Sequence, residues 1–354
     1  MRNKITIGVT GLNSTESPAP GLSVMRCIRE VSSWRGEGIG FGYDALDAGL
    51  YERHYFKYVY LLPYPSEGVD SLLDRILTIH KKTPIDVIIP NLDSEMYSFV
   101  SLEKRLIRHG IKTFLPTKEQ LKMCSKITLA ESDNISGIPL PLSSVVRDMK
   151  MVGKVEKIGF PLIVKGIFYE AYKAHNIDEV AKFIDKIKLK WGMPIILQKF
   201  IPGDEFNVSL VGDGMGNSKG FVCMRKLMLT DKGKAWSGIT IRDEALNRLV
   251  ERFIEGTKWR GPAELEILKS KDNGQFYLLE INPRFPAWIY LAKASGVNLP
   301  WQTVKLALGE MVKCIKDYKI GIIFSRYTKE HILDVKTLET INLKGEIYYG
   351  ERTL

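Results

Sequence analysis

Two apolar runs late in the chain carry acids where buried strands tolerate them poorly. Arg260–Ile267 (RGPAELEI) and Phe276–Arg284 (FYLLEINPR) are each of strand length, and Lys271-Asp272-Asn273-Gly274 between them is a turn signal. The spacing predicts an antiparallel hairpin. Side chains alternate across a strand, so Glu264 and Glu266 share one face of the first run, and Glu280 and Asn282 share one face of the second. Pairing then brings Glu266, Glu280 and Asn282 together. Carboxylates held side by side repel unless a cation lies between them. Three oxygen donors around one point suit a hard Mg²⁺ ion, with phosphate oxygens and water completing its shell.

Other segments point toward the same chemistry. Phe160–Lys165 (FPLIVK) is a strand ending in a lysine that suits a nucleotide phosphate. Gln198–Glu205 (QKFIPGDE) follows an apolar strand; an adenine could bond to the backbone at its start, and Glu205 could take the ribose hydroxyls. The first strand-to-helix turn, with Gly8, Gly11, Asn13, Thr15 and then Pro20-Gly21, could hold an anion or could be purely structural. Asn91, Asp93 and Glu95 follow the strand at 85–90, at the end where open α/β sheets bind ligands, although Asp93 would serve equally as a helix cap. Two glycine-rich stretches are set aside. Gly36–Gly42 enters a strand, and Gly212–Gly220 reads as a hairpin turn without a phosphate-loop ending.

Organisation divides the chain. Strands at 4–10, 38–44, 56–62, 85–90 and 111–115 alternate with helices at 21–30, 69–82 and 94–108, which predicts a doubly wound α/β domain over 1–118. A connecting helix is expected at 118–134. Strands at 143–147, 161–165, 194–200, 206–212, 219–228, 263–268 and 275–281, with helices near 178–190 and 243–256, then read as α+β. The tail 318–354 reads as strand and turn.

Composition excludes several classes. Apolar residues are 45% and charged residues 26%, which rules out a disordered or collagenous chain. The net charge of +10 falls almost wholly after residue 120, without the stripe or tail of a nucleic-acid binder. Four scattered cysteines form no C-x-x-C pair, and no two of the five histidines lie at i, i+4, which argues against a zinc site or a Cys-His nucleophile. The start reads as a strand, and no apolar run approaches the roughly 18 residues that cross a bilayer, so a cytoplasmic protein without membrane or nucleic-acid partners is expected.

The ordered set FPLIVK, QKFIPGDE, Glu266 and LLEINPR, after a doubly wound domain, resembles the ATP-grasp superfamily over about residues 1–310. The resemblance implies a pre-ATP-grasp domain at 1–118, a central ATP-binding subdomain at 119–200 with its linking helix at 119–142, and a C-terminal subdomain at 201–354 carrying the metal site. It implies ATP with Mg²⁺, or Mn²⁺ in its place. By position, Lys126 and Lys165 would contact phosphates, Gln198, Lys199, Phe200 and Ile201 would form the adenine hinge, and Glu205 would hold the ribose. Glu266, Glu280 and Asn282 would hold the metal. Arg284 would face the acyl group or γ-phosphate, with Arg225, Lys226 and Arg242 as further candidates for an anionic substrate. The glycine-rich flap usual after the lysine is absent, and Tyr169 or Lys173 could take its role. The implied activity is a carboxylate–amine ligase working through an acylphosphate, with small-molecule or peptide substrates; the oligomeric state is left open, a homodimer being common in similar enzymes. Bicarbonate-activating chemistry, as in biotin carboxylase or carbamoyl phosphate synthase, is the alternative, followed by a nucleotide-binding protein without turnover.

Overall fold

The computed structural model describes residues 4–14, 18–148, 155–168, 170–230 and 233–350. Short, mostly buried runs build the first sheet: β1 (Ile7–Val9), β2 (Gly38–Gly42), β3 (Tyr58–Leu61) and β4 (Val87–Ile89). They are parallel, in the order β3-β2-β1-β4. Between them run α1 (Gly21–Arg29) and α2 (Val69–Lys82), and α3 (Asp93–Arg108) follows β4. Parallel strands covered by helices are apolar on both faces, and β1, β2 and β4 are buried at every position. The strand expected at 111–115 shrinks to a single bridge between Val87 and Lys112. Beyond it Leu115 turns into the core beside α2 and α3 and gives its carbonyl to Arg260.

The expected connecting helix is two pieces, α4 (Lys118–Met123) and α5 (Lys126–Ala130). Thr117 caps α4 by accepting the Gln120 amide, and extended backbone at Ser125 separates the helices. That break makes Lys126 the first residue of α5. A small hairpin, β5 (Asn134–Ile135) with β6 (Ile138–Pro139), follows.

The second unit contains β7 (Ser143–Val146), α6 (Val155–Ile158), β8 (Leu162–Gly166), β9 (Ala171–Ala174), α7 (Ile177–Trp191) and β10 (Ile195–Lys199). Its four strands form an antiparallel sheet in the order β7-β10-β8-β9. Leu162 and Val164 enter a core with α7, so alternation turns Ile163 and Lys165 to the other face.

The long strands come next: β11 (Gly203–Asp213), β12 (Ser218–Leu229), β13 (Ala235–Ile241), then α8 (Glu244–Thr257), β14 (Arg260–Ser270) and β15 (Phe276–Asn282). The chain continues through α9 (Ile289–Ala294), α10 (Leu299–Ala307), β16 (Ile323–Ser325), α11 (Val335–Lys344) and β17 (Glu346–Tyr348). The sheet order is β15-β14-β11-β12-β13-β16. β9 and β13 were not anticipated, and Ser237-Gly238 interrupts the apolar pattern of β13. The tail differs from its reading as strand and turn: it contains α11, and β17 returns to pair antiparallel with β3 at the edge of the first sheet.

One face of the long sheet packs on α8 through Val208, Cys223, Leu265 and Ile267. At its other end Val211 and Val222 join Phe285, Ile289 and α1 in a core shared with the first sheet. Arg260 adds a lateral tie, donating to both oxygens of Glu103 on α3 at 2.9 and 3.2 Å. Among the described residues the four cysteines are free thiols, and no helix is long and apolar enough to cross a membrane.

The α1 N-terminus lies hard against β1. A Cβ at Gly21 would sit 1.9 Å from the Thr10 carbonyl oxygen and 2.7 Å from that of Gly11. Gly21→Ala is expected to destabilise the fold by about 1–3 kcal/mol through overpacking. Thermal denaturation checks this; an unchanged midpoint would show that the approach is not tight.

Candidate functional site

The hairpin forms, with a register irregularity between Glu266 and Ile267 that turns Glu280 to the Glu266 face, and the register brings in a fourth polar side chain. Glu266 lies opposite Glu280, and Glu264 lies opposite Asn282. On the other side of β14, Asn207 faces Glu266 and Ser209 faces Glu264 across β11. Three carboxylates and two amides therefore share one face of the sheet, while Leu265 and Ile267 between them fill the opposite core.

Glu264 is the deepest. It accepts from Asn207 Nδ2 (2.7 Å), Trp288 Nε1 (2.8 Å) and Asn282 Nδ2 (3.3 Å), with Arg284 Nη1 at 3.5 Å. Burial and the neighbouring Glu266 charge raise its pKa, against Arg284 and these donors. Asn282 Nδ2 also lies 3.4 Å from Glu266 Oε1, so the amide presents Oδ1 as its acceptor. Burial and Glu266 raise the Glu280 pKa as well, opposed by Lys126 and Lys165.

Cations converge on these acids from separate elements. Lys126 Nζ lies 3.5 Å from Glu280 and 3.4 Å from the Phe168 carbonyl, at the turn between β8 and β9. Lys165 Nζ donates to Gln198 Oε1 (3.2 Å), whose Nε2 donates to Ser143 Oγ (3.0 Å). Burial draws the Lys165 pKa down to about 8; Glu280 and Glu266 pull the other way. Lys226 Nζ donates to Glu205 at 2.6 Å and lies 3.5 Å from Glu266. Arg284 Nε and Nη2 donate to Asp93 Oδ2 at 3.0 and 2.8 Å, an ion pair between the long sheet and the start of α3. Burial works against the Arg284 charge, but Asp93 and Glu264 outweigh it and raise the pKa.

Two candidates do not join the cluster. Arg225 is opposite Phe206, whose side chain enters the α8 core, so it lies on the other face from Lys226. There it is half-exposed and 3.4 Å from Asp204. Placing both Arg225 and Lys226 at one site overlooks strand alternation. Arg242 follows the end of β13, where it packs over the Tyr318 ring and meets exposed Asp317 at 3.3 Å.

The hinge residues Gln198, Lys199, Phe200 and Ile201 carry the chain from β10 toward β11. The Lys199 amide donates to Leu142 (2.8 Å) and that of Phe200 to Pro161 (3.3 Å), so an adenine would need other backbone atoms there. Lys173 lies 3.8 Å over the Phe200 ring. Thr15 and Tyr169 are outside the described residues. At the ends of the parallel strands, buried Glu95 accepts from Thr10, Tyr43 and the Asn91 and Leu92 amides. It braces that turn, leaving Asp93 to reach the long sheet.

Sequence reasoning assigned no role to Asn207, Trp288 or Arg326. Arg326 follows β16; burial lowers its pKa, and Glu264 opposes that shift. No local pattern marks these residues, because long-range packing places them.

The donor set fits a hard cation. Glu266, Glu280 and Asn282 offer oxygens on one face, and buried Asn207 Oδ1 has no hydrogen-bond partner among the described residues. The protein set is sparse, since no group of three or more His, Cys, Asp or Glu among the described residues is arranged for a metal. Phosphate oxygens and water would have to complete the shell.

Comparisons with known proteins agree on the architecture. The family model "ATP-grasp in the biosynthetic pathway with Ter operon" matches residues 192–329. The carbamoyl phosphate synthase large chain of Pyrococcus furiosus is 23% identical over 293 residues, covering 75% of this chain and 26% of that protein. The chain thus spans about a quarter of that relative's length. Among solved structures, biotin carboxylase from Campylobacter jejuni aligns over 87% of this chain and 71% of its own, with a TM-score of 0.67 and 17% identity. L-amino acid ligase from Bacillus licheniformis aligns over 87% of this chain and 75% of its own, with a TM-score of 0.64 and 17% identity.

The position of Lys165 yields a pH prediction. A phosphate needs the ammonium form, which is lost as pH rises through about 8. ADP affinity should therefore fall about tenfold from its plateau by about pH 9, as read by calorimetry. Lys165→Arg should flatten that decline, and a flat wild-type profile would remove Lys165 from the phosphates.

Proposed function

We propose that this chain, similar in sequence and fold to ATP-grasp proteins, is an ATP-dependent carboxylate–amine ligase that releases ADP and phosphate. The observation that carries this reading is the meeting of Lys126 and Lys165 with Glu266 and Glu280 between two antiparallel sheets. Phosphoryl transfer needs mainly positioning and charge neutralisation, and this site provides both without a covalent nucleophile.

Each residue then has a task. The hinge from Gln198 to Ile201 seats the base, and Glu205 receives the ribose hydroxyls. Lys126 and Lys165 hold phosphate oxygens, with Gln198 and Ser143 fixing the Lys165 ammonium. Glu266, Glu280 and Asn282 hold Mg²⁺, which when bound would neutralise phosphate charge. Arg284 orients the substrate carboxylate. A carboxylate oxygen attacks the γ-phosphorus as the bond to the β-phosphate oxygen breaks, giving an acylphosphate and ADP. The amine nitrogen attacks the acyl carbon, the bond to the phosphate oxygen breaks, and the nitrogen sheds a proton. We further take 1–118, 119–200 and 201–354 as the units that build the cleft.

Bicarbonate activation is the second reading, supported by the likeness to carbamoyl phosphate synthase and biotin carboxylase. Asp93 and Glu264 both pair with the Arg284 guanidinium, so a substrate carboxylate or bicarbonate has to share or displace those partners in either reading.

The test is ADP release from Mg-ATP with paired pools of carboxylates and amines. Joint dependence on both partners is expected, with Glu280→Gln lowering the rate at least about 100-fold while circular dichroism stays unchanged. Release driven by bicarbonate alone would select the second reading. Formation of AMP and pyrophosphate would exclude an acylphosphate.

A further inference from the structure

Lys226 occupies a position that the phosphate, ribose and metal assignments leave unexplained. Its side chain is 7% exposed on β12, and its ammonium meets three oxygens. These are Glu205 Oε2 at 2.6 Å, the Gly233 carbonyl at 3.3 Å and Glu266 Oε2 at 3.5 Å. The two carboxylates come from different strands, β11 and β14, and the register sets Glu205 two positions before Asn207, which faces Glu266. Gly233 belongs to the turn joining β12 to β13, so the same ammonium ties that turn to the acidic face.

The two carboxylates are those assigned above to ribose and to metal. We propose that Lys226 couples the two ligands: each must draw a carboxylate away from its ammonium, which then passes to the phosphate oxygens between them. The inference rests on the ribose and metal assignments of the proposed function. A nearly buried ammonium is costly to leave without an anionic partner. Metal arriving alone takes Glu266 from Lys226, leaves it with Glu205 as its one carboxylate partner and no phosphate in return, and feels the repulsion of a cation beside its own ligand. A nucleotide supplies the replacement anion, so the metal and nucleotide assist one another through one side chain. This makes Lys226 a positioning residue for the metal carboxylate and a binding residue for the nucleotide.

The two ligands respond to its removal in opposite directions. In Lys226→Met, Glu266 is no longer neutralised, so Mn²⁺ alone should bind about tenfold tighter than to the wild type. ADP in the presence of EDTA loses a phosphate contact and should bind about tenfold more weakly. Lys226→Gln, which retains a donor for Glu205, should move both affinities the same ways by smaller factors, and serves if the methionine variant fails to fold. Calorimetry with Mn²⁺ alone and with ADP in EDTA reads both. Unchanged affinities in the variants, or two affinities that fall together as in a loosened fold, would overturn the role of Lys226 while the nucleotide site stands. A wild-type protein that binds neither probe would overturn the site and the coupling together.

Discussion

The structure depends on like charge gathered on one face of an antiparallel pair. The register of β14 and β15 sets Glu266 against Glu280 and places Glu264 beside them. A register irregularity between Glu266 and Ile267 lets Ile267 and Leu278 fill the reverse face with Leu265 while Glu280 turns to the acidic face, and burial of those three apolar side chains holds the register. The acids cannot separate, so the fold must bring positive charge to them. It does so from distant parts of the chain: Lys126 at the start of α5, Lys165 on β8, Lys226 on β12 and Arg284 after β15.

This requirement explains several choices of local structure. The break between α4 and α5 puts Lys126 at a helix start rather than mid-helix. The alternation of β8 sends Leu162 and Val164 into one core and Lys165 to the other face. Phe285 is anchored in the core shared with the first sheet, so Arg284 next to it emerges toward Asp93 on α3. The pairs between units, Lys126 with Glu280 and Arg284 with Asp93, are only partly buried, so each adds a modest tie across the cleft.

The hairpin and its same-face pairs, Glu264 with Glu266 and Glu280 with Asn282, were legible because a period of two and a turn signal are local information, whereas the irregularity that sets Glu280 opposite Glu266 was not. Lys165 and the Gln198–Glu205 segment were legible for the same reason, as strand ends beside turns. The four-sided arrangement of Glu264 was not, since it depends on Asn207 from β11 and Trp288 beyond β15. Arg225 and Lys226 are adjacent in sequence, and only the sheet register shows that they occupy opposite faces. The tail misled for a related reason. The short β16 and β17 are held by pairing with β13 and β3, and α11 is a mostly exposed helix with little apolar pattern to announce it.

The central claim is that this acidic face is a metal–nucleotide site. Crystals grown with Mn²⁺ and ADP, measured at the manganese absorption edge, test it most directly. The account predicts an anomalous peak within coordination distance of Glu266, Glu280 and Asn282, with Lys165 on the adjoining phosphates. A peak remote from these three residues, or ADP bound with no peak beside them, would contradict it.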